Sequence, residues 1–322
     1  MTVNRTRVTF TGFEPFWMRV LSEGLSSARP EFACDWIVWP STFVERLRFV
    51  GVMLRSDVVV RVGMPFEFQS ETNRLWIEWL RNSRKRTGVN YWIGSDSLTA
   101  LRREKSRGLS NADRAAISNL THIADSDTVR DELCSLGVEA TVAWLPPPNV
   151  PDEPILTPLP ADFTVLSYIP DRSSDFYGGP AVVEMARRLP GVAFLVVGGD
   201  GGWLRERPTN LQFIGWQSEM RPVFERCSCL VRMVEHDSVS GMVVEALAYG
   251  RKVIYSRPLP NTLFVPFGDV DGLERRLAEL ACAYRGVATT FDVGAARWAT
   301  SIANRDKAFA LIAGIIAQAA SK

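Results

Sequence analysis

Two acids in the C-terminal half of the chain flank a short bend of small residues. Asp237 precedes the bend, and Glu245 follows it inside an apolar run with helical periodicity. If a helix begins near Ser240, the backbone N–H groups at 239–242 lack intrahelical partners, and the helix dipole adds partial positive charge there. Such a helix start suits a diphosphate, and two carboxylates beside it suit a ligand rich in hydroxyl groups.

The same two acids also have an ordinary structural interpretation. Asp is a preferred residue at helix N-caps, so Asp237 would cap the helix that follows it. Glu245 would then be a partly exposed surface acid. On spacing alone, the ligand site and the structural interpretation are equally open.

The elements that would position these groups alternate between strands and helices along the chain. Apolar runs such as "RVTFTGF", which reaches Gly12, and "FTVLSYIP" indicate buried strands, and segments such as "GPAVVEMARRLP" have helical period. This alternation predicts parallel α/β layers. The last helix is expected from about Ser301 to Ala320.

A proline-rich segment divides the chain. Seven prolines lie between 146 and 160. Because proline fixes φ and removes backbone donors, the segment is expected to be a stiff, extended connector. We therefore predict one α/β domain over 1–150, to which a C-terminal helix at 301–322 returns, and a second α/β domain over 151–300.

Composition limits the class of protein. A chain of 322 residues is too long for one compact core, and 46% hydrophobic with 23% charged residues is typical of a globular protein. The formal net charge of +1 argues against a whole-protein interaction with nucleic acid. Five cysteines without a C-x-x-C pair indicate reduced thiols. No apolar run suits a secretory signal or a membrane span, so a cytoplasmic protein is expected.

The stretch "HDSVSGMVVEALAYGRKVIYS" resembles the donor-site signature of GT-B glycosyltransferases, close to glycosyltransferase family 4. In that signature an acid, seven residues and a Glu precede Ala-Leu or Ala-Met, and here the frame runs from Asp237 to Glu245. "VLSYIPDRSSDFYGGPAVVEMARRLPGVAFLVVGG", "NLQFIGW" and, more loosely, "YWIGSD" are similar to other segments of the family. The resemblance implies a GT-B fold, in which two Rossmann-like domains face each other across a cleft and a C-terminal helix returns to the N-terminal domain.

The resemblance also implies roles for individual residues. Glu245 would hydrogen-bond the ribose of a nucleotide, and Asp237 would hold hydroxyls of a transferred sugar. The backbone at 238–242 would line the sugar and phosphate, and Ile214 and Gly215 would border the base. Besides the two acids, the expected donor-side residues are Gly12, Gly199, Ile214, Gly215, Ser238, Val239, Ser240, Gly241 and Met242, and the expected acceptor-side residues are Phe13 and Asp96.

The sequence departs from the family at three places. Asp237 is one methylene shorter than the usual Glu, Ser238 stands where Gly is frequent, and the family's frequent Arg-plus-Lys phosphate pair has no clean counterpart. Arg172 is the nearest phosphate ligand, with a solvated loop arginine as the alternative. Arg232 is the second, with pairing to a structural carboxylate as the alternative. We take Asp237, Arg172 and Arg232 as the candidate catalytic residues.

Neither metal nor nicotinamide chemistry is expected. "DSD" at 125–127 and "DVD" at 269–271 imitate a metal-binding Asp-x-Asp motif, but each precedes a helix, where Asp is expected as a cap or dipole partner. "VVGGDGG" at 196–202 lacks the G-x-G-x-x-G frame, so we interpret it as a tight turn near the donor.

A basic segment lies at 74–107, with nine basic residues and three acids. A solvated helix face and loop is the ordinary interpretation. The functional interpretation is a patch for anionic lipid headgroups or for a lipid-diphosphate acceptor. Peripheral contact with the inner face of a membrane would follow from it.

The resemblance thus implies an enzyme of the hexosyltransferase type, which moves a sugar from a nucleotide-sugar co-substrate to a hydroxyl of a glycan or lipid-linked acceptor in polysaccharide biosynthesis. It also implies retention at the anomeric carbon, with no cofactor and no metal. Two alternatives stay open. One is a GT-B-type nucleotide-sugar epimerase. The other is a non-catalytic nucleotide-sugar-binding subunit, which the missing phosphate pair favours.

Overall fold

The computed structural model describes residues 5–12, 15–63, 87–93, 117, 120–285 and 291–321. The chain divides into an N-terminal unit, which comprises Met1–Pro146 and Arg305–Lys322, and a C-terminal unit, which comprises Pro147–Asn304. The basic side chains counted at 74–107 lie outside the described residues, as do Phe13 and Asp96.

A parallel sheet forms the centre of the N-terminal unit. Its strands are β1 (Thr6–Gly12), β2 (Phe32–Val38), β3 (Val58–Val62), β4 (Thr87–Trp92), β5 (Leu120–Ala124) and β6 (Thr141–Val142). They lie in the order β2-β1-β3-β4-β5-β6, and every neighbouring pair is parallel. The helices with described bounds are α1 (Pro15–Ala28), α2 (Phe43–Met53), α3 (Asp127–Ser135) and the last helix, α9 (Arg305–Ala320).

Helices α1 and α9 share the core of this unit. Met18 and Leu21 of α1 belong to the same buried cluster as Phe309 and Ile312 of α9. A Cβ added at Gly24 would overlap the ring of Phe309. The Phe309 ring of α9 therefore packs directly on the backbone of α1 at Gly24.

The C-terminal unit has a second parallel sheet. Its strands are β7 (Thr164–Tyr168), β8 (Ala193–Val197), β9 (Leu211–Phe213), β10 (Cys229–Arg232), β11 (Lys252–Tyr255) and β12 (Leu263–Phe264). The order is β12-β11-β10-β7-β8-β9, which is the strand order of the dinucleotide-binding Rossmann fold. The helices are α4 (Gly179–Arg188), α5 (Arg221–Phe224), α6 (Gly241–Ala248), α7 (Val270–Ala283) and α8 (Val293–Ile302), and a 3-10 turn covers Asp171–Ser173.

Both Asp-x-Asp motifs lie at helix starts, as predicted. Ser126 caps α3 by accepting a hydrogen bond from the Val129 N–H at 3.2 Å, and Asp127 lies in the first turn. Asp269 caps α7 by accepting from the Gly272 N–H at 2.9 Å. Capping thus explains Asp269, and the positions of Asp127 and Asp271 in the first turns of α3 and α7 suit partners of the helix dipole.

The predicted terminal helix is two helices. Helix α8 ends at Ile302, and α9 begins at Arg305. Residues up to Asn304 belong to the C-terminal unit, and α9 belongs to the N-terminal unit. The single helix expected from about Ser301 was therefore wrong in its start.

The proline-rich segment at 147–160 contains neither helix nor strand and belongs to the C-terminal unit. Contrary to the prediction, it is not extended throughout, because a turn at its start is closed by the Val150 N–H, which donates to the Pro147 carbonyl at 3.2 Å. The Ile155 N–H donates to the carbonyl of Ala248 at 3.0 Å. Nη2 of the buried Arg251 donates to Oγ1 of Thr157 at 2.7 Å. The segment is therefore anchored along this unit by specific hydrogen bonds.

Two Gly→Ala variants test the contact between α1 and α9. Gly24→Ala should lower the free energy of unfolding by about 1–3 kcal/mol, because the new methyl must displace the buried Phe309 ring. Gly51→Ala in α2 is the matched control, since nothing lies within 4 Å of the added Cβ. It should raise stability by about 0.5–1 kcal/mol, because Ala is the better helix former. Urea unfolding measures both, and equal changes in the two variants would contradict the close approach.

Candidate functional site

The sheet of the C-terminal unit reverses its winding between β7 and β10. These strands are neighbours in the sheet, but the chain leaves them towards opposite edges. Ligands of open α/β sheets bind at the carboxyl ends of such strands. Because β7 ends at Tyr168 and β10 ends at Arg232, these residues and the loops after them mark the candidate site.

Arg232 and Asp237 form a buried ion pair at this edge. Nε and Nη2 of Arg232 donate to Oδ2 of Asp237 at 3.0 and 2.9 Å, and the side chains are 10% and 8% exposed. The guanidinium carbon lies 5.6 Å from the ring centre of Tyr168 and 4.8 Å from that of Tyr177. Burial alone would lower the pKa of Arg232, but the Asp237 carboxylate raises it above its ordinary value. The structure thus favours the carboxylate-pairing alternative for Arg232.

Helix α6 begins where the sequence predicted. Ser240 is its N-cap and makes no side-chain capping bond. The Ser240 carbonyl accepts from the N–H groups of Val243 and Val244, both at 3.1 Å. Within the described part of the chain, the N–H groups of Gly241 and Met242 have no hydrogen-bond partner. The helix start therefore offers open donors to an anion.

The structural interpretation of the two acids was wrong. Ser240, and not Asp237, occupies the N-cap of α6. Oδ1 of Asp237 accepts instead from the N–H of Ser238 at 3.2 Å. Glu245 is 3% exposed, so it is not a surface acid.

Glu245 is an acid buried in an apolar helix. Nδ2 of Asn149 donates to Oε2 of Glu245 at 2.8 Å. Burial raises the pKa of Glu245 to about 8, and the hydrogen bond from Asn149 acts in the opposite direction. The other carboxyl oxygen, Oε1, accepts no hydrogen bond from any residue that the structure describes. One oxygen is therefore engaged, and the other is open to a ligand.

The loops after β7 and β8 are joined by one carboxylate. Asp171 accepts from the N–H groups of Asp200 at 3.0 Å and Gly201 at 2.9 Å. A Cβ at Gly199 would lie 2.6 Å from Oδ1 of Asp171, so only glycine fits there. The "VVGGDGG" stretch is therefore a turn, as predicted. Arg172, in the 3-10 turn, is exposed, and its role as a phosphate ligand stays a prediction.

The segment after β9 is held by its main chain. The Ile214 N–H donates to the Val196 carbonyl at 2.9 Å, and the Ile214 carbonyl accepts from Nε2 of Gln217 at 2.6 Å. Gly215 has a φ of 67°, and its carbonyl accepts from the Gly198 N–H at 2.9 Å. The segment lies at the carboxyl edge of the sheet, but its contact with a base stays a prediction.

Gly12 lies at the corresponding point of the N-terminal unit, where β1 and β3 are neighbours. A Cβ added there would lie 2.8 Å from Nη1 of Arg61 and 2.9 Å from the carbonyl oxygen of Val62. Packing within its own unit thus explains the glycine. Its donor-side role stays a prediction.

Sequence reasoning missed several side chains of this edge. Tyr168 and Tyr177 enclose Arg232, and the aromatic residue at the end of the β7 strand was an available signal. Asn149 lies 96 positions from Glu245, and nothing local in the proline-rich segment indicates the contact.

Three general features accompany the site. Among the described residues, no group of three or more His, Cys, Asp or Glu side chains is arranged to hold a metal ion. Within the same residues, no helix has both the length and the apolar character needed to cross a membrane. The five cysteines are free thiols, as predicted.

Comparison with known sequences gives a partial match. No protein-family model matches the chain. The lipopolysaccharide core biosynthesis glycosyltransferase LpsE of Rhizobium meliloti (strain 1021) is 28% identical over 139 residues, which are 38% of this chain and 40% of that protein. The match therefore spans two fifths of the relative's length.

Comparison with solved structures covers nearly the whole chain. A glycosyltransferase from Rickettsia africae ESF-5 is similar with a TM-score of 0.72 and 11% identity, over 98% of this chain and 99% of that one. Sucrose-phosphate synthase from Thermosynechococcus elongatus has a TM-score of 0.69 and 14% identity, over 98% of both chains. WaaG, a glycosyltransferase involved in lipopolysaccharide biosynthesis, has a TM-score of 0.59 and 14% identity, over 96% of this chain and 99% of that one. These likenesses confirm the predicted fold.

Glu245→Gln should change stability in a pH-dependent way. The pKa of Glu245 is about 8 in the folded chain against an ordinary 4.5, so between these values the folded state binds more protons than the unfolded state. The parent therefore loses stability as pH rises through this window, and Gln, which does not titrate, does not. Between about pH 5 and about pH 8.5, the free energy of unfolding of the variant should rise relative to that of the parent by up to a few kcal/mol. Urea unfolding at both pH values measures this, and a difference that does not change with pH would contradict the burial.

Proposed function

We propose that this chain, which has the predicted GT-B fold, is a glycosyltransferase of the hexosyltransferase type that moves a sugar from a nucleotide-sugar donor to an acceptor hydroxyl. The observation that carries the proposal is the start of α6, where open N–H groups lie between the buried acids Asp237 and Glu245 at the winding reversal of the sheet. A helix start of this kind suits a diphosphate. The partial match to a lipopolysaccharide core glycosyltransferase supports a role in polysaccharide biosynthesis.

The donor would be held by groups of the C-terminal unit. The N–H groups of Gly241 and Met242 would bind the diphosphate. Oε1 of Glu245 would accept from a ribose hydroxyl, and the Asp237 carboxylate would accept from hydroxyls of the transferred sugar. This assignment is supported by the burial of both acids, because a buried acceptor gains most from a ligand hydroxyl.

The proposed reaction needs no side-chain nucleophile. The bond from the anomeric carbon to the diphosphate oxygen breaks, and a bond from that carbon to the acceptor oxygen forms with retention. The acceptor proton passes to an oxygen of the departing diphosphate. The negative charge on the leaving group would be met by the α6 N–H groups and by Arg172, while Arg232 holds Asp237.

The N-terminal unit would take the acceptor, a glycan or a lipid-linked compound. Gly12 lies at the carboxyl end of β1, beside the winding reversal of that unit's own sheet. This is where a small molecule enters an open α/β sheet. The position of this edge supports an acceptor site there, and Gly12, which ends β1, would border it from the donor side.

Peripheral contact with an anionic membrane, in the cytoplasm, is a further part of the proposal. Helix α2 exposes three large apolar side chains, since Phe43 and Val44 are 74% exposed and Leu47 is 59% exposed. Arg46 and Arg48 are exposed on the same helix. Exposed apolar groups beside basic ones suit the interface of an anionic bilayer, where the apolar side chains enter the headgroup region.

Replacing both Phe43 and Leu47 by Ser should reduce sedimentation with vesicles of phosphatidylglycerol and phosphatidylcholine. The control Phe264→Ser, which removes a 48%-exposed apolar side chain of the C-terminal unit, should sediment as the parent does. Added salt should weaken binding of the parent. Equal sedimentation of parent and α2 variant would remove this surface from the proposal, and self-association of the parent without vesicles would assign it to a second copy of the chain.

Separate variants of the two acids test the donor site. Glu245→Ala should weaken binding of the nucleotide sugar and of free nucleoside diphosphate alike, by roughly tenfold to a hundredfold for one hydrogen bond to a charged group. Asp237→Asn keeps the shape of the side chain but leaves the buried charge of Arg232 without its carboxylate, so it should also lower the free energy of unfolding by about 3–5 kcal/mol. Below the unfolding temperature of the variant, diphosphate binding should be nearly unchanged while transfer falls steeply, because the sugar loses its orientation.

Calorimetry with a panel of nucleoside diphosphates and a transfer assay with nucleotide sugars provide the two measurements. If Glu245→Ala binds the nucleoside diphosphate as tightly as the parent does, the proposed donor site is wrong. Release of nucleoside diphosphate only when acceptor is present separates a transferase from an epimerase, and binding without any turnover indicates the non-catalytic subunit.

A further inference from the structure

The proline-rich segment is part of the candidate site. Nδ2 of Asn149 donates to Oε2 of Glu245 at 2.8 Å. Two residues earlier, Pro147 packs so closely on α6 that a Cβ at Gly241 would overlap its ring. Since the segment also bonds to the last residue of the helix, it follows α6 along its whole length. Both contacts fall on one helix face, because Gly241 and Glu245 are four positions apart.

Asn149 is the described polar partner of Glu245. The neighbouring helix residues are apolar and buried, as are Val244 and Ala246 on either side. A buried carboxyl without a hydrogen-bond donor is driven to its protonated form, and nothing then fixes its rotamer. The amide therefore fixes the direction of this group and favours its charged form against the larger effect of burial.

We propose that Asn149 is a positioning residue of the nucleotide site, whose amide fixes Oε2 of Glu245 so that Oε1 faces a ribose hydroxyl of the bound nucleotide. The inference rests on the proposed function and extends the site from α6 to the connector. Asn149 touches neither the sugar nor the phosphate. It acts through Glu245, which is the residue in contact with the ligand.

This pairing gives nucleotide binding a pH signature. Burial raises the pKa of Glu245 to about 8, and the hydrogen bond from Asn149 lowers it. Because the ionised carboxylate is the better acceptor, binding by the parent should strengthen as pH rises through that value. Helix α6 is in contact with β10, β11 and α8, and the proline-rich segment follows it. The other described titratable groups on these elements and at the end of α6 are Tyr249, Cys229, Arg232, Lys252, Tyr255, Arg297, Asp152 and Glu153. Burial and Asn149, rather than these groups, set the pKa of Glu245.

The probe is chosen with the parent protein. Calorimetry with uridine, cytidine, thymidine, adenosine and guanosine diphosphates identifies the nucleotide that binds most tightly, and that nucleotide is used for every variant. Glu245→Gln, which cannot titrate at this position, supplies the pH dependence of the nucleotide itself. Subtracting its profile leaves the contribution of Glu245.

Two substitutions of Asn149 should change the pH dependence of nucleotide affinity in opposite senses. Asn149→Ala should bind the probe about tenfold more weakly at neutral pH and shift the rise in affinity upwards by about one pH unit, because the charged form loses a hydrogen bond. Asn149→Asp keeps the shape. It should bind at neutral pH, where the two carboxyls share a proton, and lose binding as pH rises and both ionise.

Thr157→Val is the matched control. It removes the hydrogen bond from Nη2 of Arg251 to the Thr157 hydroxyl, keeps the one from Nη1 to the Thr157 carbonyl, and leaves Glu245 untouched. It should lower the unfolding temperature without changing the binding profile, which separates lost stability from lost positioning. Unchanged affinity and pH profile in both Asn149 variants would overturn the inference, and so would tighter binding by Asn149→Ala, which would mean that the amide blocks the carboxyl. If the parent binds none of the probes, the proposed function itself fails.

Discussion

Two charges that are buried together hold the edge of the C-terminal sheet in place. Arg232 ends β10 and Asp237 lies in the loop that leads to α6, so their ion pair ties the strand end to the loop. Replacing either residue alone leaves a buried charge unpaired, which costs about 3–5 kcal/mol of stability. Tyr168 and Tyr177 place their rings over the guanidinium and bring the β7 loop to the same point. The position of the open end of α6 follows from this arrangement.

Close backbone approaches keep the surrounding loops rigid. Gly178 has a φ of 68°, and a Cβ there would lie 2.6 Å from the Cβ of Met233, which is next to the ion pair in the chain. Asp171 holds the turn after β8 through two N–H groups, at a distance that also requires Gly199. Loops fixed in this way can present N–H donors to a charged ligand without reorganising when it binds.

Local sequence patterns predicted the helices and strands. They did not predict contacts between residues that are far apart in the sequence. The start of α6 at Ser240 was predictable, because small residues before an apolar run are a local signal. The partner of Arg232 was not, since a buried arginine demands an anion but does not say whether a ligand or a carboxylate supplies it. The contact of Asn149 with Glu245 crosses 96 positions and leaves no periodic trace. The break before α9 was missed because alanines lie on both sides of it, without Gly or Pro, although Asn304 is a residue type that begins helices.

The ion pair with Arg232 sets the charge of Asp237, the shorter acid of the donor signature. A free carboxylate beside a bound diphosphate would repel it, and the repulsion is strong where water is excluded. Arg232 neutralises Asp237 through two hydrogen bonds to one oxygen, Oδ2, and the Ser238 N–H takes only one acceptor site of the other. Each carboxylate oxygen has more than one lone pair, so Oδ1 keeps capacity for a sugar hydroxyl. In the proposed reaction Asp237 would therefore orient the sugar by accepting a hydrogen bond from one of its hydroxyls. Because Arg232 balances its charge, the pair would add no net negative charge next to the departing diphosphate.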